Sequence, residues 1–151
     1  MIGVLGVRQQ KLKRLITSIM FTLALLTPTH TPPPTTHSEF GGVMSDQYYI
    51  ALARCETGGS WDHSTRSYTG GLGLSRRTAQ VWGGTRNVAN KTPRQQVAIA
   101  DRIAFRGFQS RTRFVWPVGV YGWGCVKNQP KLQRMICDSK HPLVKKWKRN
   151  C

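Results

Sequence analysis

The chain has 151 residues, and its 39% hydrophobic and 19% charged residues fit one globular domain with extensions. Lysine and arginine total 23 against six aspartates and glutamates, so the formal net charge is +17. Such a charge implies an anionic partner, namely nucleic acid, an acidic membrane surface or an anionic polymer. Six carboxylates are too few to favour a site that needs several of them, such as that of a two-metal nuclease.

The N-terminal residues have the pattern of an export signal. Basic residues within positions 8–14 precede an apolar run over residues 15–26, which is shorter than the roughly 20 residues that span a membrane. We therefore expect a signal peptide or N-terminal hydrophobic segment over residues 1–27, with a core helix or a retained membrane anchor as the alternatives. The Thr/Pro-rich residues 28–44 are predicted to form a linker.

The first helix is predicted to begin at Ser45, which is a favourable N-cap, and to continue through Cys55 with apolar side chains at helical spacing. Gly58 and Gly59 predict its end, because glycine readily takes the left-handed conformation of a helix cap. Glu56 therefore falls in the last turn of a buried helix.

Three further elements are predicted before the chain turns strongly basic. Residues 60–74, with paired glycines and aromatic neighbours, favour a tight loop or small hairpin. A second helix runs from Ser75 to the glycines at 83–84. A third begins at residues 92–95, which read TPRQ and form a capping box, and closes at Gly107.

The boundaries of the folded region follow from these elements. Residues 45–125 are predicted to form the domain, whose compact part ends near the Trp-Pro-Val sequence at 116–118. The basic residues 126–151 are predicted to form a solvated C-terminal extension. The domain is small, so we expect its tryptophans to fill the core, namely Trp61, Trp82 and Trp116.

The four cysteines are Cys55, Cys125, Cys137 and Cys151. An even number in an exported chain indicates disulfides, and four cysteines allow three full pairings. The sequence contains no C-x-x-C pair, and its four histidines are scattered without ligand spacing. We therefore predict no metal site and no cofactor.

Five segments together form a recognisable pattern. Residues 55–61 read CETGGSW, 68–75 read YTGGLGLS, 82–84 read WGG, 96–100 read QVAIA and 116–118 read WPV. Their order and spacing resemble the catalytic domain of the actinobacterial resuscitation-promoting factors, a branch of the lysozyme-like transglycosylases that also occurs in phages. The resemblance implies a small helix-rich α+β fold of lysozyme type with a short β element. It also implies cleavage of the MurNAc–GlcNAc β-1,4 bond in peptidoglycan glycan strands.

The resemblance assigns roles to individual positions. Glu56 takes the place of the catalytic acid, and Thr78 that of the active-site threonine. Trp61 and Tyr68 match aromatic residues of the substrate groove. Where the family usually has Gln, Trp and Cys, this sequence has Gly73, Ala79 and Gly119 respectively. The missing cysteine implies that a disulfide from Cys55 reaches Cys125, or uses Cys137 instead.

The chemistry expected of Glu56 is proton donation to the leaving glycosidic oxygen. Burial beside aromatic side chains favours the protonated form of a carboxylic acid. The nearest second carboxylate is Asp62, which directly follows Trp61 and has the pattern of a solvated residue. One acid suffices if the MurNAc 6-hydroxyl attacks internally, and the sequence leaves this reaction and hydrolysis both open.

The alternative class is a non-catalytic, basic module that binds cell-wall polymer or nucleic acid. The net charge favours it, but the sequence carries no nucleic-acid motif and no basic residues interleaved with the aromatics near Glu56. We therefore expect a secreted or cell-wall-associated monomer that acts on peptidoglycan, contacts anionic wall polymers and has no specific nucleic-acid partner.

Overall fold

A computed structural model describes residues 38–148 and Cys151. The predicted signal segment and most of the predicted linker lie outside these residues. The α-helices are α1 (Asp46–Thr57), α2 (Arg76–Gly83), α3 (Pro93–Asp101), α4 (Gly124–Asn128) and α5 (Pro130–Asp138). A π-helix spans Arg102–Arg106, and 3₁₀ helices span Val120–Gly122 and Pro142–Trp147. The strands are β1 (Tyr68–Thr69), β2 (Leu74–Ser75), β3 (Phe108–Gln109) and β4 (Phe114–Val115).

Helix α1 begins and ends where the sequence predicts. Ser45 is its N-cap, and Gly58 adopts a left-handed φ of 70° and donates its N–H to carbonyls of the last turn. The buried face carries Tyr48, Tyr49 and Leu52 at helical spacing. Glu56 therefore lies in the final turn, as predicted.

The hairpin and the next two helices are also confirmed. Strands β1 and β2 pair antiparallel, with Tyr68 opposite Ser75. Ser75 caps α2 by accepting a hydrogen bond from the Thr78 N–H. Thr92 and Gln95 form the predicted capping box of α3. Helix α3 continues into the π-helix and closes at Gly107, after which an unpredicted hairpin, β3–β4, follows.

Folded structure begins before Ser45, within the segment predicted as linker. Phe40, Val43 and Met44 are buried in the core. The carboxylate of Asp46 accepts hydrogen bonds from the backbone N–H groups of Glu39 and Phe40. Burial in the core, together with these local hydrogen bonds, orders a stretch whose own composition favours an extended linker.

The C-terminal residues pack on the domain, in contrast to the predicted solvated extension. Helices α4 and α5 bury Val126, Leu132 and Ile136, and the following 3₁₀ helix buries Val144. Leu132 and Ile136 are four residues apart and share one helix face. The many lysines conceal this short apolar stripe in the sequence, because they occupy the opposite, exposed positions.

These elements make a helix-rich α+β domain with two small two-stranded sheets, as expected for a lysozyme-like fold. Its core combines α1, α3, the π-helix and the C-terminal helices around one cluster of buried apolar side chains. Within residues 38–148, no helix is both long and apolar enough to cross a membrane.

Candidate functional site

Glu56 is held by a backbone donor from a distant part of the chain. Its side chain is half-buried, and its Oε1 accepts a hydrogen bond of 3.0 Å from the Cys125 N–H. Residues 56 and 125 are 69 positions apart, so only the tertiary fold brings them together. The contact fixes one carboxylate oxygen and leaves Oε2 free of this donor.

Two disulfides are present, and one of them adjoins Glu56. Cys55 is bonded to Cys125, with their Cα atoms 6.0 Å apart, and Cys137 is bonded to Cys151. The first bridge joins the residue before Glu56 to the residue that donates to its carboxylate. The pairing to Cys125 is one of the two that the family resemblance left open.

Gly73 lies against the free side of Glu56. Its φ is +62°, a conformation that favours glycine, and a Cβ added there would lie 3.3 Å from Glu56 Oε2. This is the position where the family usually has Gln. The substitution therefore falls where the backbone of the β1–β2 turn comes closest to the proposed catalytic carboxyl group.

A cleft of about 210 Å³ adjoins these residues. It is lined by Tyr68, Leu74, Ser75, Thr78, Ile103, Val118, Gly122 and Trp123. Glu56 itself does not line the cleft. The cleft lies near it, because Leu74 follows Gly73 in the chain and Trp123 lies two residues before Cys125. The structure brings Tyr68 and Thr78 together on its wall.

The sequence is similar to a known protein family. The family described as transglycosylase-like domain matches residues 43–117. The chain contains a transglycosylase-like domain.

The chain is also similar to curated resuscitation-promoting factors. Resuscitation-promoting factor RpfE of Mycobacterium tuberculosis H37Rv is 30% identical over 94 residues, which cover 62% of this chain and 52% of that protein. RpfD of the same species is 41% identical over 67 residues, covering 44% of each chain. The chain thus spans about half the length of these curated relatives. No solved structure gives a significant match.

Trp123 lies beyond the matched residues 43–117, and no sequence pattern predicted a role for it. Its ring is buried and lines the cleft, and its Nε1–H donates to the Leu72 carbonyl at 2.8 Å. The bond ties the turn that carries Gly73 to the segment that carries Cys125. The sequence feature that could have pointed to Trp123 is its position two residues before Cys125.

Trp61 is not among the residues that line the cleft. Its ring packs 5.4 Å from that of Phe40 and against Gly71, and its carbonyl accepts from the buried Gln96 amide. Gln96 also accepts from the Gly71 N–H and so clamps the hairpin turn. In this position Trp61 supports the turn, and its role as a substrate contact stays a prediction.

Trp116 was predicted to lie in the core, but it lies on the surface. Trp82 is half-buried and packs against Phe108. The Trp116 side chain is 75% exposed and packs edge-on against Phe114. The cause is the β3–β4 hairpin, which carries this part of the chain out over the surface.

Three other carboxylates of the domain are engaged in bonds of their own. Ser60 donates to Asp62, and this bond lowers the pKa of the Asp62 carboxyl group. Asp46 accepts from the N-terminal segment, as described above. Burial raises the pKa of Asp101, although the Tyr49 hydroxyl and the Val43 N–H both donate to it and oppose that rise. In the described part of the chain, no cluster of three His, Cys, Asp or Glu residues could hold a metal ion.

Proposed function

We propose that this protein cleaves the MurNAc–GlcNAc β-1,4 bond of peptidoglycan, with Glu56 as the general acid. The observation that carries the proposal is the Glu56 carboxyl group, held by the Cys125 N–H beside a cleft that Tyr68 and Thr78 line. The family match to a transglycosylase-like domain and the similarity to resuscitation-promoting factors support it.

The hydrogen-bond pattern indicates which oxygen of Glu56 donates the proton. Because Oε1 already accepts from the Cys125 N–H, we assign to Oε2 the hydrogen that the proposed acid donates. The Oε2 atom faces Gly73, whose missing side chain leaves room around it. A glycosidic oxygen that enters from the cleft accepts the hydrogen as the bond to C1 breaks.

The reaction also needs a nucleophile. Asp46, Asp62 and Asp101 are engaged in other hydrogen bonds, so we do not assign this role to them. We assign it to the MurNAc 6-hydroxyl, which attacks C1 and closes a 1,6-anhydro ring. Glu56, now a carboxylate, takes the proton that this hydroxyl loses, so the acid is regenerated. In a muramidase reaction, water takes the place of the hydroxyl and its proton returns to Glu56 in the same way.

Two cleft residues have roles in binding under this proposal. The ring of Tyr68 is exposed at the cleft and offers an apolar face to a sugar. The Thr78 hydroxyl lies 2.8 Å from Ser75 Oγ and can orient the attacking hydroxyl. Both residues thus position the substrate, while Glu56 performs the proton transfers.

We further propose that the protein acts outside the cytoplasmic membrane, secreted or bound to the cell wall. Two disulfides are typical of an oxidising compartment. The net charge of +17 favours attraction to anionic wall polymers and concentrates the protein near its substrate.

The test compares muropeptide release from purified peptidoglycan by the wild type, Glu56→Gln and Asp62→Asn. Glu56→Gln retains an oxygen that accepts from Cys125 but has no acidic hydrogen, so we expect release to fall by at least about 100-fold. Asp62→Asn is the matched control and should keep wild-type release. Equal release by the wild type and Glu56→Gln would overturn the assignment of the acid. Binding without release by any of the three would support the non-catalytic alternative. The mass of the products distinguishes an anhydro from a hydrolysed end.

A further inference from the structure

Exposed apolar side chains continue from the cleft along the β3–β4 hairpin. Phe114, Trp116 and Val118 occupy alternate positions and are 40%, 75% and 62% exposed, whereas the residues between them are half-buried. Val118 lines the cleft itself, and its N–H is anchored to the Ile103 carbonyl at 2.8 Å. We call Phe114, Trp116 and Val118 the hairpin stripe.

The stripe is rigidly supported at its base. A Cβ added to Gly107 would lie 2.7 Å from the Phe114 ring, so this ring lies directly on the glycine. The Phe114 and Trp116 rings meet edge-on at 4.9 Å. An aromatic pair fixed in this way forms a platform on the surface, because little side-chain freedom remains to be lost on binding.

The surroundings of the stripe are basic. Residues 102–118 contain four arginines and no acidic residue, and the side chains of Arg106, Arg111 and Arg113 are exposed. Arg111 and Arg113 lie at the tip of the hairpin, at the far end of the stripe from the cleft. A ligand that follows the stripe therefore meets apolar rings first and positive charge beyond them.

We propose that the hairpin stripe binds the part of the glycan strand that extends beyond the cleft. Sugar rings would pack on Trp116 and Phe114, and carboxylates of the strand's lactyl and peptide substituents would pair with Arg111 and Arg113. Continuity with the cleft and charge complementarity favour this occupant over a protein partner. The inference rests on the proposed function, because it takes the strand in the cleft to be peptidoglycan.

The test measures binding in a Glu56→Gln background, so that no ligand is consumed. The probes are a purified peptidoglycan disaccharide and a purified fragment of several linked disaccharides. Trp116→Ala should weaken binding of the long fragment by about two- to tenfold and leave the disaccharide unchanged. Val81→Ala removes another exposed apolar side chain, 51% exposed, from α2 and should change neither affinity. The double variant Arg111→Gln/Arg113→Gln should bind the long fragment more weakly, and its binding should depend less on salt.

The outcomes separate this inference from the proposed function. Equal affinities of Trp116→Ala and its parent for the long fragment would overturn glycan binding by the hairpin stripe. A protein partner would then be the remaining ligand for this surface. An equal loss for both fragments would also overturn it, because Trp116 would then act within the cleft. If neither fragment binds the Glu56→Gln parent, the proposed substrate itself fails.

Discussion

The Cys125 N–H donates to Glu56 Oε1 at 3.0 Å, while the sulfur of the same cysteine is bonded to Cys55, the residue before Glu56. One covalent bridge therefore holds both the proposed acid and its hydrogen-bond donor. The bridge stabilises the fold, and it also fixes the geometry on which the proposed proton transfer depends.

Removing this bridge should affect both stability and activity. The bridge closes a loop with a sequence separation of 70, for which loop entropy predicts a loss of about 4 kcal/mol in Cys55→Ala/Cys125→Ala. We expect muropeptide release per folded molecule to fall as well, because the Cys125 N–H is no longer held at Glu56. Urea unfolding and product assays on the same samples measure the two effects.

The second disulfide supplies the control for that experiment. Cys137 and Cys151 close a separation of 14, so Cys137→Ala/Cys151→Ala should lose about 3 kcal/mol. Its activity per folded molecule should remain at the wild-type level. Similar activity losses in both double variants would show that the Cys55–Cys125 bridge acts only through stability.

Substituting Gly73 should impair activity beyond its effect on stability. Gly73→Ala costs about 1–2 kcal/mol for the left-handed conformation, and its methyl group crowds Glu56 Oε2. Gly84→Ala is matched, because Gly84 has a φ of +72° and no atom within 4 Å of an added Cβ. Both variants should lose similar stability in thermal unfolding, but only Gly73→Ala should release fewer muropeptides. Unchanged release by Gly73→Ala would show that the space beside Oε2 is not needed.

Asp101 should make stability fall as the pH rises above about 4. Its pKa is raised above the ordinary value of 3.8, chiefly by burial, so the folded state holds a proton that the unfolded state has released. This contribution is fully present below pH 3.8 and is lost as the pH rises through the folded-state pKa.

The measurement compares urea unfolding of the wild type and Asp101→Asn across the acid range. The free energy of unfolding of the wild type minus that of the variant should fall by up to about 1.4 kcal/mol per pH unit. The substitution also adds a constant, pH-independent amount to this difference, because asparagine cannot accept hydrogen bonds from both Val43 and Tyr49 in place of the two carboxylate oxygens. A difference that is constant with pH, or that rises, would contradict the expected direction.

The C-terminal residues should contribute to the stability of the domain. Leu132 is buried in α5, so Leu132→Ala should lose about 2–5 kcal/mol in chemical denaturation. Its neighbour Lys131 is exposed, and Lys131→Ala should change stability by no more than about 0.5 kcal/mol. Equal stabilities of the two variants would indicate a solvated tail, as the charge pattern alone suggests.

Much of the local structure was predictable because its signals lie within a few residues of one another. The capping box of Thr92 and Gln95, the N-cap Ser75 and the terminal glycine at 58 each determine a helix boundary by local hydrogen bonds and backbone freedom. The same local pattern places Glu56 in the last turn of α1. At both ends of the domain, in contrast, composition predicted a linker and a solvated extension, and these predictions were wrong for the residues that the structure describes. A few apolar residues in both segments are buried beneath polar and basic ones.

Local sequence patterns predict the ends of α1 and α2, the capping box of α3, the place of Glu56 and the resemblance to the transglycosylase-like family. What surrounds the Glu56 carboxyl group depends on the tertiary fold, which supplies the donor from Cys125 and the approach of Gly73. The fold also joins the turn of Gly73 to the segment of Cys125 through Trp123. It also placed Trp116 on the surface and Trp61 behind the hairpin turn. Local patterns cannot predict such contacts, because they join separate segments of the chain and depend on how the whole core packs. Leu72 and Trp123 are 51 residues apart, and Glu56 and Cys125 are 69 apart.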